Sequence, residues 1–73
     1  MEVKKRGVQR VEKIVSEGGH AEVLPGVWLT SGETLAQESL EKVSFFRTFP
    51  YFVTRNDGFC VGFDDVLEAL ESL

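Results

Sequence analysis

His20, Cys60 and the adjacent carboxylates Asp64 and Asp65 are the side chains with the most chemistry to offer in this chain. A histidine beside a hydroxyl or thiol drives nucleophilic attack, paired carboxylates divide acid and base roles, and all of these groups can ligate metals. Their spacing argues against each use. His20 is the only histidine, it follows two glycines, and no nucleophile stands near it in sequence. Combined with Cys60 and Asp57, Asp64 and Asp65, it makes no metal-ligand spacing. Asp64 and Asp65 precede an apolar helical segment, where Asp65-Val66-Leu67-Glu68 has the pattern of a capping box, so capping accounts for them. Cys60 lies mid-strand with no neighbouring base and reads as a small buried apolar residue. "SGET" lacks the lysine and the spacing of a phosphate loop. The expectation is a non-enzymatic chain with no catalytic residue, metal site, cofactor or small-molecule substrate.

The elements that carry these residues follow from periodicity. Val3, Val8, Val11, Ile14 and Val15, with Gly7, recur at helical spacing, and Glu17-Gly18-Gly19 ends that helix. "HAEVLPGVWLT" is extended, and Pro25-Gly26 marks either a type II turn closing a hairpin between Glu22–Leu24 and Val27–Leu29 or a bend in one strand. Thr30 to Glu33 has a capping-box pattern and opens a second helix through "TLAQESLEKVSFF". Leu35, Ala36, Leu40, Val43 and Phe46 turn inward on it, and it ends before Pro50. Whether this central helix is broken into a helix-turn-helix stays open. "VLEALESL" forms a short third helix, with Val66, Leu67, Leu70 and Leu73 on its apolar face. At that length it cannot stand alone and must dock.

"YFVTR", "NDG" and "FCVGF" read as a hairpin whose register can be derived. Asn56-Asp57-Gly58 suits a three-residue loop, a type I turn followed by glycine in the left-handed bulge position. Thr54 then faces Cys60, Val53 faces Val61, Phe52 faces Gly62 and Tyr51 faces Phe63. A two-residue Asp-Gly loop would shift one strand by a residue and split the apolar set between faces. In the favoured register Tyr51, Val53, Phe59, Val61 and Phe63 share one face. Phe52 is left on the other, where its ring can cover the bare backbone of Gly62. Burying Phe52 requires a second layer from the same chain, for which Leu67, Leu70 and Leu73 are available, or another molecule.

The fold class expected is α+β: one domain, 1–73, with three helices and a small antiparallel sheet containing the 51–55/59–63 hairpin. A chain of 73 residues buries only about 60% of the surface it exposes when unfolded. Such a core seldom supplies more than ~3–5 kcal/mol. One cysteine cannot form an internal disulfide, so stability must come from packing, a partner or self-association, and a lone thiol suits a reducing, cytoplasmic setting. No apolar run approaches the ~20 residues of a membrane span.

The net charge of −4 is unevenly spread. Residues 1–13 hold five cations and two carboxylates, net +3, and the rest of the chain holds three cations and ten carboxylates, net −7. That balance disfavours general nucleic-acid binding. Arg6, Arg10 and Lys13 fall on one helical stripe, either a solvated flank or a docking stripe for an acidic partner. The order helix, strand, helix, hairpin is that of a winged helix-turn-helix domain with Asn56–Gly58 as wing tip, and a DNA-binding regulator is therefore the alternative function. Its would-be recognition segment, "LEKVSFFRTF", offers only Lys42 and Arg47, with Phe45 and Phe46 where base-reading groups belong. The function expected is a regulatory or interaction module that binds a protein partner, its own second copy included. Its contact residues are expected to be Phe52, Leu67, Leu70, Leu73, Arg6, Arg10 and Lys13.

Overall fold

A computed structural model describes the backbone of residues 2–73 and the side chains of residues 7–73. Helix α1 (Glu2–Ser16) leads into strands β1 (Ala21–Leu24) and β2 (Val27–Ser31). Helices α2 (Gly32–Glu38) and α3 (Val43–Phe46) follow, then β3 (Tyr51–Arg55), β4 (Cys60–Phe63) and helix α4 (Val66–Glu71). The strands form one antiparallel sheet in the order β1-β2-β3-β4. The class is α+β, with four helices in place of the three expected. Among the described residues no helix is long and apolar enough to cross a membrane.

The extra helix comes from a break in the central segment. Ser39 is extended (φ −102°, ψ 135°) and closes α2, and its hydroxyl accepts the Lys42 N–H at 2.9 Å, which restarts the chain toward α3. A serine that can cap the next turn competes with helix continuation at its own position. The break turns Leu40, expected inward, into solvent at 97% exposure. The start of α2 also lies one residue later than expected. Ser31, not Thr30, is its N-cap, accepting the Thr34 N–H at 3.0 Å. At α4 the expected cap holds, with Asp65 accepting the Glu68 N–H at 2.8 Å.

The second hairpin has the derived register, from Tyr51↔Phe63 through Thr54↔Cys60. Arg55 N–H donates to Phe59 C=O at 3.0 Å and Gly58 N–H to Arg55 C=O at 3.0 Å, with Gly58 at φ +94° where a side chain would be strained. The first hairpin forms as well. Gly26 takes the positive φ, +75°, that a turn after Pro25 needs. Its strands pair with a bulge between Glu22 and Leu24, which restores the twist that a type II turn splays.

The sheet is covered on both sides. On one face Leu29, Val53 and Ala21 meet Val11 and Val15 of α1 and Val66 and Ala69 of α4, with Tyr51, Phe63 and Leu70 packed around them. On the other face lies Phe52, wholly buried, ringed by Phe45, Phe46 and Phe49 at centroid distances of 5.3, 5.3 and 6.1 Å. The edge-on geometries of Phe46 (88°) and Phe49 (85°) are the favoured arrangement for aromatic pairs. The second layer over Phe52 is therefore the α2–α3 segment, and α4 lies across the opposite face. The ring over Gly62 belongs to Phe49, not to Phe52.

Candidate protein-contact surface

The residues expected at a contact surface are dispersed by this fold. Phe52 is 0% exposed and belongs to the interior, so it presents nothing to a partner, because the β2–β3 connection folds back over it. Leu70 packs on the aliphatic core, and Leu67 and Leu73 are exposed. Arg10 and Lys13 are exposed on α1, and the Arg6 side chain lies outside the described residues. Lys42 and Arg47 belong to the α2–α3 side of the sheet, opposite α1. Arg55, at the hairpin tip, is committed to Asp57 through Nε–Oδ1 (3.3 Å) and Nη2–Oδ2 (3.0 Å), and its guanidinium lies 4.1 Å from the Phe59 ring centroid. Among the described residues the cations do not converge on one surface.

Helices α1 and α4 leave one end of the aliphatic face uncovered, the end at which both hairpin turns meet. Asn56 N–H bonds Gly26 C=O there at 3.3 Å. An apolar groove of about 380 Å³ opens beside the turns, walled by Leu24, Val27, Phe59, Val61, Phe63 and Leu73. Leu24, Phe59, Val61 and Leu73 are each more than a third exposed, at 47, 42, 37 and 49%. The alternation of the second hairpin places Phe59, Val61 and Phe63 here together. The end of α4 supplies the wall at Leu73. Leu40, Phe45 and Phe49, in the stretch between β2 and β3, are exposed as well. The larger cleft of about 510 Å³ between α1 and α2 bears Glu12, Glu17 and Glu33 on its walls and is polar in character.

The fold also gathers a cluster that local sequence did not suggest. Thr30 Oγ1 and His20 Nδ1 share a hydrogen bond of 2.9 Å, and His20 Nε2 lies 3.0 Å from Glu38 Oε2. The tautomer with its hydrogen on Nε2 donates to the Glu38 carboxylate and accepts a hydrogen bond from the Thr30 hydroxyl at Nδ1. A carboxylate, an imidazole and a hydroxyl in line have the composition of a hydrolytic triad. Thr30, however, is 0% exposed, so its oxygen meets no substrate, and the cluster ties the start of β1 to the end of α2. These residues stand 10 and 18 positions from His20, and only the meander brings them together. Among the described residues no three His, Cys, Asp or Glu side chains gather as a metal site.

Two other groups have shifted acidity. The Phe59 N–H at 3.0 Å, followed by the Arg55 guanidinium, holds the exposed Asp57 carboxyl below its ordinary range. Burial pushes the Cys60 thiol up, against a smaller opposing effect of Lys42. Cys60 is therefore a poor nucleophile at neutral pH. No protein-family model, curated protein or solved structure matches the chain.

Proposed function

We propose that the protein is a non-enzymatic interaction module that binds a protein partner through the groove beside the two hairpin turns, and that it exerts a regulatory role by doing so. The observation that carries this reading is the convergence of Leu24, Phe59, Val61 and Leu73 on one groove, each more than a third exposed, in a chain with little core to spare. Contiguous apolar surface rimmed by polar groups marks contact sites, and an aromatic anchor such as Phe59 is the usual source of binding energy. The rim is polar at Arg55 and Ser72. A free cysteine with no disulfide partner suits the reducing cytoplasm.

The DNA-binding alternative draws no support from the placement of the described cations. Arg10 and Lys13 lie on one side of the sheet, Lys42 and Arg47 on the other, and Arg55 is paired. Duplex binding at ~0.15 M salt should be weaker than the ~10⁻⁴–10⁻⁶ M of ordinary non-specific binders.

A photo-crosslinking amino acid at position 59, with a control at exposed Gln37, tests the reading in extract of the native cell. Protein adducts are expected from position 59 alone and should disappear when Val61→Lys is added. Adducts formed equally from both positions, or from neither, would overturn it.

A further inference from the structure

The two edges of the sheet are built differently. Edge strand β1 carries Glu22, a bulge between Glu22 and Leu24, and Pro25 directly after its last residue. Each of these is a known guard against pairing with another strand. Edge strand β4, Cys60-Val61-Gly62-Phe63, has no charge, no proline and an unbroken register with β3. It borders the groove.

The hydrogen-bonding groups of that edge can be assigned. Arg55 N–H donates to Phe59 C=O, which makes Arg55–Phe59 a hydrogen-bonded pair of the antiparallel ladder. Such pairs alternate, so Val61 and Phe63 also turn their backbone groups toward β3. Cys60 and Gly62 turn theirs away from it, toward the open edge.

Residues 59–63 read alike in both directions: phenylalanine, a small residue, valine, a small residue, phenylalanine. Antiparallel pairing of a strand with its own copy is the arrangement that such a pattern fits. We infer that the occupant of this surface is a second copy of the chain, paired β4 to β4 about a two-fold axis at Val61. The inference rests on the reading of this surface as a contact site.

In that register Cys60 of each copy faces Gly62 of the other, and outward N–H groups meet outward C=O groups. Val61 faces Val61 across the axis, and Phe59 faces Phe63 of the second copy on the groove side, so the two grooves become one apolar surface. The symmetry is closed and isologous, the commonest form of small assembly. Each copy carries −4, and the pairing segment is uncharged, so added salt tightens the association.

The register has a chemical signature. Directly opposed residues of a non-hydrogen-bonded pair have Cα atoms ~4.5 Å apart, inside the disulfide range. Val61→Cys in a Cys60→Ser background should therefore form a covalent dimer under mild oxidation. Native Cys60 lies diagonal to its counterpart, at roughly 8 Å by strand rise and spacing, and should not cross-link. Sedimentation of the wild-type chain across a concentration series should show a monomer–dimer equilibrium. Val61→Lys, at an exposed position that leaves the circular dichroism unchanged, should weaken it by about tenfold or more. A disulfide through native Cys60 would overturn the register. A wild type that stays monomeric to high micromolar concentration, with Val61→Cys oxidising no faster than Gln37→Cys in the same background, would overturn the inference. Foreign adducts from position 59 would then leave the contact-site reading standing, and their absence would remove both.

Discussion

The aliphatic face of the sheet is covered by two helices from opposite ends of the chain, and the aromatic face by the single broken stretch between β2 and β3. The first cover works through side chains: Val11, Val15, Val66 and Ala69 pack on Leu29 and Val53. The second works through missing side chains. A Cβ at Gly32 would strike the backbone oxygens of Phe46 and Phe49, and one at Gly62 would strike the Phe49 ring. Glycine at these two places lets the segment lie close on the sheet and leaves Phe52 wholly enclosed. Gly32 N–H donating to Pro50 C=O at 2.9 Å closes the base of the excursion. A face can thus be sealed by seven-residue and four-residue helices when the contact points carry no Cβ.

The largest test of this comparison sets Phe52→Ala beside Leu29→Ala, a wholly buried apolar strand residue from each face. Urea unfolding should show a loss of ~3–5 kcal/mol for the first and ~2–5 kcal/mol for the second. A near-neutral Phe52→Ala would mean that the aromatic face is no part of the core.

Next in size is the pair Gly32→Ala and Gly62→Ala. The first meets backbone that cannot retreat and should cost ~1–3 kcal/mol or more. The second meets the Phe49 side chain at its root, Cγ and Cβ included, so turning the ring does not clear it, and it should also cost ~1–3 kcal/mol. Urea unfolding checks both, and a near-neutral change at either glycine would break the account of how the segment approaches the sheet.

A smaller effect is expected at Cys60, which shares the aromatic face with Phe52 and Gly62. Labelling by a thiol reagent at neutral pH should run several-fold slower than with a small free thiol and should speed up on unfolding, since burial disfavours the thiolate. Labelling as fast as the free thiol would show this face to be open. The smallest change is Leu40→Ser. At 97% exposure in the break between α2 and α3, it should alter stability by no more than about 0.5 kcal/mol in thermal unfolding.

Much of the architecture was legible because it is local. The three-residue loop with Gly58 sets the second hairpin's register over a dozen residues, and Asp65 with Glu68 places the start of α4. Position 30 shows where local reading stops. Thr30 and Ser31 are adjacent hydroxyls with equal claim to cap α2, and His20, ten residues away, engages Thr30 and leaves the cap to Ser31. The break at Ser39 was left open by periodicity, because Leu40 and Val43 fit an unbroken helix equally well. Of the contact residues expected, only Leu73 lines the groove, and Leu24, Phe59 and Val61 were absent from that set.

By itself the sequence determined the α+β class, the strand pairing of the second hairpin, the uncharged β4 segment with its two-way pattern, and the uneven charge. Each depends on φ/ψ preference, alternation or composition within a short window. Tertiary structure alone decided that Phe52 is interior, that His20 meets Thr30 and Glu38, and that Leu24, Phe59, Val61 and Leu73 share one end of the sheet. Alternation says which residues share a face and carries no information about which distant element returns to cover it. That choice is made by the competition of α1, α4 and the α2–α3 segment for the same two apolar surfaces, and it is settled only when all of them pack at once.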